Sequence, residues 1–262
     1  MVVGRTAGPH SRDEEFGRML KEAQPVSSYS DLTDVHLEVD GGVALTKSLV
    51  ATVNEACARI EDDDRKGLTL LVHITGAGAG AAGEPWPHET AIHLVNQWER
   101  ALRRLERLPV LVLAVVDGAC RGPALDLLLA TDYRVVTADL RLELVSVAGS
   151  TWPGMALYRL VNQIGIGAAR RMMVLGAPLL ADRAVASGLV DEVAQDVDAR
   201  VREILQSVGA NGREWAIRRQ LLFEAATTSF EDALGTHLAA CDRALRLARS
   251  GLEAAPAAGG RL

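Results

Sequence analysis

"VDGACRGPALDLLLATDYRVV", residues 116–136, is the stretch on which the fold turns. It begins where an apolar run of strand length, Val110 to Val116, comes to its end. Gly118 and Gly122 then punctuate a tight passage. Pro123 suits the first position of a helix, because its missing N–H has no helical partner to lose there. The pattern predicts a short helix over 122–131 and a further strand over 133–137. Strand, turn, helix and strand in quick succession indicate an α/β arrangement.

The same alternation extends in both directions. Residues 34–40 alternate as a strand, with Val35, Leu37 and Val39 on one face and His36 and Glu38 on the other. Leu49, Val50, Val53, Ala56, Cys57 and Ile60 form a helical stripe over 48–62. Leu68 to Ile74 is a second strand, so uniformly apolar that both of its faces are expected to be buried. Residues 89–108 read as a helix with Ile92, Val95, Trp98, Leu102 and Leu105 inward. Its solvated face is expected to carry Glu99, Arg100, Arg103, Arg104, Glu106 and Arg107. Beyond Pro153 the chain is mainly helical, over 153–164, 167–176, 181–187, 196–208, 211–225 and 230–250. Four regions are expected: a polar N-terminal extension (1–33, with a short helix over 14–23), a core (34–208), a C-terminal helical region (209–250) and a disordered tail (251–262).

Composition excludes several classes. The 262 residues are 48% hydrophobic and 24% charged, as in a globular protein with one sizeable core. A net charge of −6 argues against a nucleic-acid surface. No apolar run approaches the roughly 18 residues of a membrane span, and residues 5–15 are charged where a signal peptide would be apolar. Cys57, Cys120 and Cys241 are too few and too scattered for a disulfide framework or a zinc site, so no metal is expected. A cytoplasmic protein without membrane or nucleic-acid partners is the expectation.

A second stretch, "ITGAGAGAAGEPWP" (74–87), contains G-x-G-x-x-G at Gly78, Gly80 and Gly83. A dinucleotide fingerprint needs those glycines to open a helix and an acidic residue about 20 positions on. Pro85 and Pro87 stop a helix from starting there, and the next strand lies beyond a long helix. What remains is a backbone-rich loop after a buried strand, at the sheet edge where α/β proteins bind ligands. A plain turn is the alternative.

Gly118, Gly122, Asp126 and Asp132 resemble the crotonase (enoyl-CoA hydratase/isomerase) signature, N/D-G-x-x-x-G-G-G-x-E followed by a C/T-D-x-x-x-A strand. The likeness continues through "TWPGMALYRLV" and "GAPLLADRAVASGLVDEV" to "SFEDAL", covering residues 34–250. It implies a ββα spiral core with a C-terminal helical oligomerisation region, a homo-oligomer (trimer or hexamer), and a coenzyme A thioester as substrate with no tightly bound cofactor. It also implies that two main-chain amides polarise the thioester carbonyl. Carried over, one is the N–H of Glu84, after Ala82 and Gly83, in a substrate-binding region with Gly122 and Trp86.

The second amide falls on Pro123, which has none; Ala124 is the nearest replacement. The first family carboxylate falls on Asp126, and the second, 14 residues past Asp132, on Ser146. Glu143, Glu84, His88 and Glu89 are alternative sources of a second carboxylate or base. Arg121 replaces an apolar residue and is suited to a phosphate, a carboxylate or the altered oxyanion. Cys120 reads as a buried small residue. "NQWERALRRLERLPV" and "LLLATDYRVV" further resemble the DpgB-type branch of 3,5-dihydroxyphenylglycine biosynthesis. That likeness implies dehydration and aromatisation of a malonyl-CoA-derived tetraketide to 3,5-dihydroxyphenylacetyl-CoA beside a type III polyketide synthase. A non-catalytic accessory subunit, bound to the synthase or to a crotonase homologue, is the other reading.

Overall fold

Five strands lie side by side and parallel: β1 (Val35–Asp40), β2 (Thr69–Thr75), β3 (Leu111–Asp117), β5 (Tyr133–Val136) and β10 (Glu192–Val193), in the order β1-β2-β3-β5-β10. They belong to a computed structural model that describes residues 33–65, 67–76, 90–208 and 212–254. The expected helix over 14–23, the glycine loop with Ala82, Gly83, Glu84, Trp86, His88 and Glu89, and the end of the tail lie outside those residues.

The sheet is covered on both faces, as the apolar runs of β2 and β3 predict. Leu70, Val72, Ile74, Val112, Ala114 and Val116 point into the larger core. There they meet helix α1 (Lys47–Glu61) through Val53, Cys57 and Ile60, and helix α2 (Ile92–Leu105) through Trp98, Leu102 and Leu105. Thr46 starts α1 by accepting the Leu49 N–H on its hydroxyl at 3.1 Å, a cap worth about 1 kcal/mol. On the opposite face Leu71, Leu113 and Val115 pack against Val201 and Ile204 of a later helix, Val197–Val208.

A second sheet joins β4 (Ala119–Arg121), β6 (Arg141–Glu143) and β9 (Leu179–Leu180), and β7 (Ser146–Val147) pairs with β8 (Ser150–Thr151) as a hairpin. The remaining helices are α3 (Pro123–Leu129), α4 (Met155–Leu175), α5 (Ala181–Ala186), α6 (Val197–Val208), α7 (Gly212–Glu224) and α8 (Phe230–Ala254). The two helices expected over 153–176 join into α4 with a break at Gly165, whose φ of 76° departs from helical geometry.

Buried charges fasten the layers. Arg134 gives its guanidinium to the carbonyls of Leu129, Thr131 and Leu189 and to the Gln163 amide oxygen. Arg219 of α7 donates to Asp132 Oδ2 at 2.7 Å and to the carbonyls of Leu108 and Val110. Asp132 also accepts the Val112 N–H. This aspartate, singled out by the signature, therefore anchors the C-terminal helices to β3.

Candidate active site

The C-terminal ends of β1, β2 and β3 meet the start of β4 with almost no space between backbones. A Cβ built on Gly76 would stand 1.8 Å from the Ala119 carbonyl oxygen, and one on Gly41 would stand 1.9 Å from the same atom. Only glycine permits such an approach. Gly76 leads into the glycine loop, so the closest main-chain contact of this edge is made by the glycine just before the G-x-G-x-x-G. The Arg121 N–H donates to the Gly41 carbonyl at 2.8 Å, locking β4 across the edge.

Gly122 then turns the chain into α3 with φ 57° and ψ −132°, a conformation open to glycine. Pro123 occupies the first turn, as its chemistry predicts. The first helical amide after it belongs to Ala124, which is fully buried. First-turn amides have no partner within their helix, so the unbonded donors of α3 begin at Ala124, one residue later than a glycine at 123 would allow.

Asp126 lies in that first turn, where the helix dipole favours a negative charge, yet its side chain is only 5% exposed. Trp98 of α2 donates its indole N–H to Asp126 Oδ2 at 3.2 Å. Burial pushes the Asp126 carboxyl up to about 7; the Glu99 carboxylate adds to the rise, while the Trp98 bond and Arg159 oppose it. Arg159 of α4, itself buried, donates to Glu99 at 2.9 Å and to Glu106 at 2.9 Å. Burial works against the Arg159 charge, but Glu106 and Glu99 outweigh it and raise the guanidinium further. The expectation that Glu99 and Glu106 lie on a solvated face is thereby corrected. Their side chains are 21% and 18% exposed and serve the buried arginine.

Other expected site residues are dispersed. Arg121 stands opposite Glu143 in the β4–β6 pairing, with its guanidinium 3.5 Å from the position of a Cβ on Gly42. Glu143 accepts a bond from Arg141 at 3.3 Å. Ser146 is exposed on the β7–β8 hairpin. Cys120 is fully buried, and burial, then the nearby Asp126, pushes its thiol up, so it presents no thiolate. A groove of about 510 Å³ between α1 and α2 is lined by Lys47, Asn54, Gln97, Arg100 and Arg104 and by small apolar residues. It includes neither Asp126 nor the sheet edge.

Such a site can polarise a carbonyl at the amides beginning α3 and exchange a proton through a carboxyl poised near neutrality. The arrangement defines an α/β protein of the crotonase fold. Residues 44–246 match the enoyl-CoA hydratase/isomerase family model, and the chain belongs to that family. It is 48% identical over 211 residues to a protein of Amycolatopsis orientalis named enoyl-CoA-hydratase, covering 80% of this chain and 95% of that one. Among solved structures it resembles an enoyl-CoA hydratase from Mycobacterium smegmatis (19% identity, TM-score 0.66, 80% of this chain and 87% of that one). Another, from Shewanella pealeana, gives 19% identity and a TM-score of 0.68 over 80% and 84% of the two chains. Among the described residues, no helix is long and apolar enough to cross a membrane.

Proposed function

We propose that this protein is a lyase that dehydrates a coenzyme A thioester with one carboxyl group, Asp126, as its acid and base. The observation that carries the reading is that carboxyl: buried, held by the Trp98 indole and pushed up to about 7. A group titrating near neutrality releases and takes up a proton with little loss in either direction. A hydratase that adds water to the conjugated double bond of an enoyl thioester uses two carboxylates on that water. The family position of the second is Ser146, exposed on a hairpin. Loss of water from a polyketide thioester asks less than from a simple β-hydroxyacyl thioester, because the proton removed lies between two carbonyl groups and is more acidic, and one group can serve in turn as base and acid.

The substrate class that fits best is a malonyl-CoA-derived tetraketide thioester, converted by dehydration and aromatisation to 3,5-dihydroxyphenylacetyl-CoA beside a type III polyketide synthase. Aromatisation supplies driving force that offsets a weakened oxyanion site. In this reading Glu84 and Ala124 contribute the amides, Ala82, Gly83, Gly122 and Trp86 line the substrate, and Arg121 and Glu143 flank it. Phe230, Leu234, Leu238 and Leu245 are exposed along α8 and supply the surface for a trimer or hexamer.

Pro123 favours one other reading, a non-catalytic subunit of the synthase or of a crotonase homologue, since an amide donor is missing where the family has one. Reconstitution separates the two. The synthase and malonyl-CoA are incubated with no addition, with this protein, or with Asp126→Asn, and products are followed by mass spectrometry. The lyase reading expects wild type to raise dihydroxyphenylacetyl product and the variant to fail. Equal help from the variant establishes the accessory role, and no effect of either removes the polyketide assignment.

A further inference from the structure

The face of β1 and β2 shared with Leu71 carries a constellation that the thioester chemistry does not use. His36 and Glu38 are two residues apart on β1, so the pleat directs both to one face. In the parallel register Glu38 stands opposite His73 of β2, which brings the third side chain to the same face. One ligand atom from each of the three lies within 4.8 Å of the other two. The rings of His36 and His73 stack 17° from parallel with centroids 6.3 Å apart, and His36 Nδ1 is 3.8 Å from Glu38 Oε1.

His73 is oriented from behind. Its Nε2 lies 2.7 Å from Asp117 Oδ2 at the end of β3. The Thr75 hydroxyl lies 3.3 Å from the same nitrogen. A carboxylate holding the far nitrogen is the outer-shell arrangement that fixes the tautomer of a metal-binding histidine. The two imidazoles are held in place, 13% and 8% exposed, whereas Glu38 is 68% exposed and has room to turn.

We propose that His36, Glu38 and His73 form a binding site for a zinc-class divalent cation, which ties β1 to β2 and leaves one position for water. Two imidazole nitrogens and one carboxylate oxygen suit zinc and its neighbours cobalt and nickel, and are a poor match for calcium or magnesium. A tetrahedral site with bonds of about 2.0–2.1 Å needs ligand atoms roughly 3.3 Å apart. Rotation of Glu38 and slight tilting of the rings close the remaining distance. The mechanical consequence falls on β1, which among the described residues is an edge strand paired with β2 alone.

The test uses the full-length chain without an affinity tag, stripped with a chelator. Cobalt(II) is titrated in while the visible d–d absorption is followed, and zinc(II) is titrated by calorimetry. The expected result is one equivalent per chain, a tetrahedral cobalt spectrum, and a melting temperature that rises with zinc concentration. Glu38→Gln, an exposed change that leaves the core intact, should weaken binding by at least about tenfold, and Asp117→Asn by about 10–100-fold. His73→Ala should abolish the cobalt spectrum with the fold checked by circular dichroism. Absence of a saturable equivalent overturns the proposal. So does an affinity unchanged in both Glu38→Gln and His73→Ala, which would place the ion elsewhere.

Discussion

Asp126→Asn removes one ionisable proton and keeps both the size of the side chain and an oxygen to accept the Trp98 N–H. In the wild type, burial first and the Glu99 charge second carry the carboxyl from 3.8 to about 7. Between about pH 4 and about pH 7 the folded protein therefore holds a proton that the unfolded chain has released. The folded state binds more protons across that window, so stability falls as pH rises through it and levels off above. At 1.36 kcal/mol per pH unit the full interval is worth about 4 kcal/mol. Asparagine carries no charge at any pH, so the difference between the two proteins isolates Asp126 from every other titrating group.

The assay is urea denaturation at fixed protein concentration, run on both proteins at about pH 5 and about pH 8. Asp126→Asn should gain about 3 kcal/mol relative to wild type between those conditions, since part of the interval lies below pH 5. Whatever the buried amide costs is the same at both and cancels. Parallel profiles would refute the reasoning: a carboxyl that titrates at the ordinary aspartate value cannot be the proton donor near neutrality proposed here.

Trp98→Phe removes a bond that holds the Asp126 carboxyl down, so the fall in stability should extend above pH 7, with a loss of about 1.5–3 kcal/mol at alkaline pH in the same urea titrations. Arg219→Met leaves Asp132 charged and buried without its partner, and should cost about 3–5 kcal/mol by denaturant unfolding. Gly76→Ala drives a Cβ onto the Ala119 backbone, and should destabilise by about 3 kcal/mol or more, seen as poor soluble yield and a lowered melting temperature. Pro123→Gly supplies an amide where the chain has none. Turnover in the reconstituted reaction should rise, by up to about 10²-fold for a full donor; unchanged turnover would mean that the substrate carbonyl does not rest there.

Long apolar runs made the main sheet legible. β2 and β3 are buried on both faces because nearly every residue in them is apolar, and that pattern needs no tertiary information. The second sheet was not legible, because β4, β6 and β9 are two or three residues long and carry no period. The helices expected over 153–164 and 167–176 left a gap, and the structure has a break at Gly165 inside one helix; periodicity registers the interruption without distinguishing the two. Asp126 was visible only through the resemblance to the family signature. Its environment was not, since Trp98 is 28 positions away and read simply as one apolar residue of a stripe. Glu99 and Glu106 read as solvated for a similar reason. Their partner, Arg159, lies on another helix, and no local pattern announces a buried arginine.

The residues that build this fold are separable from those proposed to set its chemistry. Asp132 serves as an anchor for Arg219, and Gly41 and Gly76 admit the backbone of Ala119. Neither task depends on what is bound, and both explain why the family architecture persists. Pro123 satisfies the scaffold equally well, because a helix start loses nothing by it, yet in the proposed reading it removes one of the two amides of the oxyanion site. A substitution neutral to folding and costly to oxyanion stabilisation is tolerated where the reaction no longer depends on a full set of donors. The Asp126 environment is consistent with that shift. Burial and a nearby carboxylate, opposed in part by the Trp98 bond, raise a single acid toward neutrality, as the proposed reaction requires. Where one group performs both steps, a second carboxylate on the β7–β8 hairpin has no remaining task, and a serine exposed to solvent at 146 is no defect.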